Sequence, residues 1–257
     1  MRKISSIDSR GRIQFVDDKG TGTTLGSKAD CEAYGYDFKN GVCKIPTSKQ
    51  EVKQADNFTY GRKNIVSGVN NSTLGYNNTI NGSNSICIGN NNTIDVYAEN
   101  SVTIGTNAYA EHVGEIAFSA SRTPNRAKFS FLQFDGVTTN NTPTEIYLGN
   151  NNGARLYINE DYESGYAIDY TAVGINPSSN DIFTSYGHAT YKFTNSTLTE
   201  VGHEKSTTIR DSSTNHYDID FAPISSTPDY IEVKVTGDTG HTVYWTVDLK
   251  VTEVRYA

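Results

Sequence analysis

The sequence predicts an all-β protein built from many short strands, and three observations lead there. Among 257 residues there are 25 Asn and 22 Gly, the residues that enter tight turns most easily because they tolerate positive φ. No long stretch carries the apolar period of an amphipathic helix. Instead, residues 60–118 repeat every 14 residues or so, and residues 128–254 alternate apolar and polar side chains. Hydrophobic residues are only 35% of the chain, yet aromatics reach 11%, with 17 Tyr. A disordered chain lacks such rings, so the protein reads as folded, with a core that partner subunits complete.

Residues 1–50 form a region of their own. The segment RIQFVDD alternates as a short strand does, and the turn-rich stretch after it ends at Pro46. TSKQEVKQADN then reads as a polar connector. Arg2, Lys3, Arg10 and Arg12 are interleaved with Asp8, Asp17 and Asp18, a mixed docking surface. The net charge of −7 excludes the basic face that nucleic-acid binding needs. Cys31 and Cys43 either pair or serve as two small buried apolar groups; the second reading is preferred, because Cys87 occupies an apolar repeat position. No apolar stretch has the length of a signal peptide or a membrane span, so the expectation is assembly in a cytoplasm, without export or membrane contact.

The repeat spans residues 51–120 with its leader. Its units are YGRKNIVSGVNNST, LGYNNTINGSNSIC, IGNNNTIDVYAENSVT and IGTNAYAEHVGEIA, three of 14 residues and one of 16. Each begins with a large apolar residue and a glycine: Gly61, Gly75, Gly89 or Gly105. These glycines are read as turn positions, and Leu74, Ile80, Ile86, Ile88, Ile94, Val102, Ile104 and Ile116 as the repeat and trimer core. A coil of this length holds two short strands and two turns, with apolar side chains pointing inward and Asn side chains forming ladders. One coil buries too little to stand alone; stacked coils share a continuous, thin core, which three adjacent chains thicken.

Beyond SASRTPNR the period changes to two. About eight strands follow, from KFSFLQF to TVYWTVDLKVTEV, and predict a C-terminal β-sandwich or jelly-roll-like knob over residues 121–257. No nucleophile elbow, phosphate loop, metalloprotease helix or C-x-x-C occurs. His112, His188, His203, His216 and His241 lack ligand spacing and read as surface or interface residues. His216 with Asp218 and Asp220 reads as the wet side of a strand, and Glu160, Asp161 and Glu163 as a charged loop. No cofactor or metal is expected, and the chain reads as non-catalytic.

NSICIGNNNTI (84–94) and NSVTIGTNAYA (100–110) resemble the head repeats of trimeric autotransporter adhesins. That resemblance implies a trimeric left-handed parallel β-roll over about 60 residues. This chain is richer in Asn, poorer in Ala and carries a two-residue insertion in one coil. Those adhesins also need a signal peptide and a membrane anchor, whereas phage fibres use the same repeat without export. TPTEIYLGNNNGARLYI, IDYTAV and VYWTVDLKVTEVRY resemble a β-sandwich module of phage tail-fibre and virion proteins. The implied protein is a homotrimeric phage fibre docked to other virion proteins through residues 1–50. The shortness of the shaft favours a head fibre on the capsid over a short tail fibre. The alternative is a tail fibre that recognises host cell-surface glycan through a Tyr-rich knob, and a less favoured one is a fibre that cleaves polysaccharide with paired carboxylates.

Overall fold

The structure, a computed structural model, describes residues 3–7, 12–16, 20, 22–33, 37–44, 51–52, 57–123, 127–149, 153–210 and 216–256. The chain divides into two compact units, Met1–Gln50 and Glu51–Ala257.

In the first unit β1 (Ile4–Ile7), β2 (Ile13–Val16) and β3 (Thr23–Leu25) form an antiparallel sheet. Helix α1 (Lys28–Ala33) follows, capped by Ser27, whose Oγ accepts from the Asp30 amide at 3.1 Å. Asn40 and Gly41, with φ of 53° and 75°, turn β4 (Asp37–Lys39) into β5 (Val42–Lys44). Ile13, Phe15, Cys31 and Cys43 are the buried cluster. Cys31 and Cys43 are disulfide-bonded within it, which corrects the preferred reading of two free apolar thiols. Arg2, Asp8, Arg10, Asp17 and Asp18, and most of the expected connector, lie outside the described residues.

The second unit starts as a β-solenoid of about four turns. Long strands β7 (Phe58–Arg62), β9 (Ser72–Tyr76), β11 (Ile86–Asn90), β13 (Val102–Thr106) and β15 (Ile116–Ala120) stack in parallel. Short strands β6 (Glu51–Val52), β8 (Ile65–Val66), β10 (Thr79–Ile80), β12 (Thr93–Ile94) and β14 (Tyr109–Ala110) stack in a second parallel sheet. Corners recur every seven residues. Lys63, Asn70, Asn77, Asn84, Asn91, Asn100 and Asn107 all have φ between 55° and 58°, a left-handed conformation that Asn enters more readily than other side chains. The one nine-residue gap, Asn91 to Asn100, holds the insertion.

The interior is narrow. Long strands send in only small side chains, Thr73, Cys87, Thr103 and Ala117, while short strands send in Val66, Ile80, Ile94 and Ala110. Burial pushes the Cys87 thiol up to about 11, so it acts as an apolar filler. Two buried polar ladders complete the stack. Asn64 Oδ1 accepts from the Asn78 amide at 3.0 Å, Asn78 Oδ1 from the Asn92 amide at 3.0 Å, and Asn92 Oδ1 from the Ala108 amide at 2.8 Å. Asn71, Ser85 and Ser101 repeat the pattern at the other corner.

The long sheet does not stop at residue 120. β15 pairs antiparallel with β16 (Ala127–Thr138), then β25 (Val243–Tyr256), β20 (Glu163–Asn176), β21 (Asp181–Thr194) and β22 (Thr197–Arg210) extend the same sheet. The shaft–knob boundary expected there is therefore a continuous hydrogen-bonded ladder. A smaller layer of β17 (Thr144–Glu145), β19 (Leu156–Tyr157), β23 (Asp218–Ile224) and β24 (Tyr230–Thr236) faces it, and β18 (Tyr147–Leu148) pairs with β16. Leu132, Phe134, Tyr170, Phe183, Trp245, Phe221 and Val233 fill the space between the layers. The fold is all-β with one short helix among the described residues, and that helix is not long and apolar enough to cross a membrane.

Candidate functional site

Two features of the second unit stand out as working surfaces. The first is the outer face of the long sheet. In each long strand the inward residue is flanked by two outward ones, so apolar side chains line up across neighbouring coils. One column runs Ile86, Val102, Ile116, Phe131 and the next Leu74, Ile88, Ile104, Phe118, Phe129, each in strand register with the next. Phe58 and Tyr60 continue the face at its start, 64% and 68% exposed, and Ile86 in mid-stack is 43% exposed. The stripe ends at β25, where Lys250 lies 5.4 Å over the Phe129 ring and pairs with Asp169 at 3.4 Å.

This geometry corrects the expectation that all apolar repeat positions point into the coil. Ile80 and Ile94 are interior. Leu74, Ile86, Ile88 and Ile116 are exposed, and Val102 and Ile104 are half-buried on the same outer face. Period two puts both flanking aliphatics of ICIG or VTIG opposite the small residue between them, a signal present in the sequence but outweighed by hydrophobicity. Gly61, Gly75, Gly89 and Gly105 are likewise not at the corners. They lie in the long strands with positive φ, and a Cβ at Gly75 would stand 1.9 Å from the Gly89 carbonyl oxygen.

The second feature is a cleft of about 860 Å³ between the last coils and the smaller C-terminal layer. Asp95, Tyr97, Glu99 and Tyr109 form its solenoid wall; Arg155, Tyr157, Asn159 and Asp161 form the opposite, C-terminal wall. Glu111 and His112 of its lining belong to a buried ion cluster that lies behind it. Lys128 contacts Glu111 at 3.0 Å, Glu115 at 2.9 Å and Glu253 at 3.5 Å. Arg255 pairs with Glu253 and Glu111, and Asn159 donates to Glu111 at 2.7 Å. His112 bridges Glu115 and the Tyr157 carbonyl, each at 3.0 Å.

Burial alone would raise the Glu111 and Glu115 carboxyls, but Lys128 first, then Arg255 at Glu111 and His112 at Glu115, hold both below the usual carboxylate range. Burial would lower His112, and the Glu115 hydrogen bond and charge overcome it and raise it. Burial pushes the Tyr109 hydroxyl above its ordinary value, and Glu111 and Asp95 add to that push.

Other sequence candidates disperse. Glu160 accepts from the Asp229 amide at 2.6 Å, Glu163 sits at the Asn195 amide, and only Asp161 reaches the cleft. Asp218 pairs with Lys205, Asp220 with His203 and His216 with Asp238. His112 is buried, not on the surface. Tyr166, Tyr170, Tyr191 and Tyr217 are core residues, so the tyrosines offered to solvent at the cleft come partly from the roll. Among the described residues no group of His, Cys, Asp and Glu is placed to hold a metal ion.

No family model and no curated protein matches the chain. Among solved structures it is similar to a tailspike protein, gp49, of Acinetobacter baumannii bacteriophage Fri1, described as a capsular polysaccharide depolymerase, with a TM-score of 0.33, 15% identity and coverage of 78% of this chain and 38% of that one. The tailspike of Acinetobacter baumannii phage AM24 gives 0.29, 8%, 78% and 49%. That of Acinetobacter phage vB_ApiP_P1 gives 0.21, 9%, 78% and 49%. The chain thus spans from under two-fifths to about half the length of these tailspikes. The first is described as a depolymerase, against the expectation that this chain is non-catalytic. Glycosidic cleavage needs as little as two carboxylates at a suitable separation, which no short motif marks, so the missing motifs excluded nothing of that kind.

Proposed function

We propose that the chain is a homotrimeric subunit of a phage fibre or spike that meets bacterial surface polysaccharide. The observation that carries this reading is the two-column apolar stripe on the outer face of the long sheet. A water-facing sheet that repeats aliphatic and aromatic residues over five neighbouring strands is too regular for scattered surface apolars, and three copies can bury it around one axis. The resemblance of the repeat to trimeric adhesin heads supports the same arrangement, with the coils as shaft and the two-layered C-terminal part as a β-sandwich knob. Residues 1–50 then join the subunit to its particle, and three equivalent knobs multiply weak sugar contacts.

Light scattering on the purified chain tests the trimer. The expected mass is three times the 28.2 kDa of one chain, and a 28.2 kDa species at micromolar concentration overturns it. Particle attachment is tested by deleting residues 1–50: the remainder should stay trimeric and be missing from assembled particles. Antibody labelling of those particles in the electron microscope places the fibre on head or tail.

A further inference from the structure

The insertion in the third coil is the one irregularity in the stack, and it has a location with chemical meaning. Coils before and after it pair without a register shift, Ile86 with Val102 and Thr93 with Tyr109. The two extra residues are therefore taken up entirely on the third side of the coil, in Asp95–Glu99. There Ala98 turns inward and is fully buried, while the Asp95 carboxylate accepts from the Tyr97 amide at 3.1 Å. The result is a pinned turn that holds the Tyr97 ring 78% exposed at the rim of the cleft.

We propose that this insertion builds a saccharide subsite in the cleft, selective for uncharged or amino-bearing sugars and closed to uronates and sialates. This rests on the reading of the chain as a polysaccharide-facing fibre. A cleft of about 860 Å³ is in the range that holds a few sugar units. An exposed tyrosine offers a flat apolar face with a polar tip, suited to the C–H face of a pyranose. Glu99 and Asp161 supply carboxylate acceptors for hydroxyl groups or for a sugar ammonium, while Asp95 is held by the Tyr97 amide and the Tyr109 hydroxyl.

Charge gives the selectivity. The cations near the cleft are already matched: Lys128 and Arg255 are committed to the buried glutamates, and Arg155 is bound to Glu145 at 2.6 Å and stacked over Tyr230. Among the described residues lining the cleft, the cations Arg155 and His112 are each paired with a glutamate, so a sugar carboxylate would meet the unpaired charges of Glu99 and Asp161 instead.

The test is binding of the full chain to an array of neutral hexose and N-acetylhexosamine oligomers, deacetylated hexosamine oligomers, uronate oligomers and sialylated oligomers. Retention of neutral or amino-bearing probes is expected. Tyr97→Ala should weaken it at least about tenfold, Tyr97→Trp should keep it, and Tyr256→Ala, on another exposed ring, should leave it unchanged. Binding of nothing, binding mainly of uronate or sialylated probes, or full binding by Tyr97→Ala overturns the subsite. Mass measured on the same samples separates the two readings. A monomer that binds sinks the trimer and leaves the subsite, whereas a trimer that binds nothing does the reverse.

Discussion

At the scale of single residues, the stack is limited by how closely coils approach. Gly75 combines φ of 130° with a carbonyl where a Cβ would be, so Gly75→Ala should cost about 3 kcal/mol or more, read by denaturant unfolding. The repeat made the glycines visible in the sequence, but not the reason for them, because a neighbouring coil's backbone leaves no trace in local pattern. The junction ions were invisible for a similar cause: Glu111, Glu115, Lys128, Glu253 and Arg255 come from three separate strands and turns and meet only after folding. Glu111 and Glu115, held low, contribute stability that is complete above about 4.5, the ordinary value of a glutamate. It is lost as pH falls, through about 2 for Glu111. Lys128→Met should cost about 3–5 kcal/mol and move that acid loss to higher pH, as followed by melting temperature from pH 2 to 7. His112, held high, acts with the opposite sign: its contribution is complete below about 6.5 and fades as pH rises through its raised value.

At the scale of elements, the first three coils each carry a buried asparagine, Asn64, Asn78 or Asn92, that bonds two groups of the coil after it. Asn78 donates to the Gly89 carbonyl at 2.8 Å and accepts from the Asn92 amide. Asn78→Leu would leave both buried groups unpaired, at about 1–3 kcal/mol each, and hydrogen exchange should lose protection first in the second and third coils. The outer stripe and the inner column predict opposite behaviour for similar residues. Ile94→Ala should lower stability by about 2–4 kcal/mol without changing subunit number, whereas Ile88→Lys should release monomers with little change in far-ultraviolet circular dichroism. The 14-residue period, the Asn corners and the alternation of β25 were legible in the sequence, since each is local. Which aliphatics face outward was also written there, in the small residue between them, but a reading that sends every large apolar group inward passes over it.

At the scale of the whole molecule, the long sheet joins the coils to the C-terminal layers as one folding unit. Residues 121–257 made alone would expose the β16 edge that β15 covers and strip Lys128 of Glu111 and Glu115. That fragment should be insoluble or lack dispersed amide resonances, while 51–257 should unfold in a single transition. The insertion has a further consequence of a different kind. Adjacent strands advance the stack by about 4.8 Å, so the length of the solenoid is set in steps of one coil and can take no intermediate value. Residues added at the third side leave that step untouched and enlarge only the girth. Reach and surface chemistry are therefore separate variables in this architecture: whole coils tune the one, and loop insertions tune the other without moving anything stacked above them.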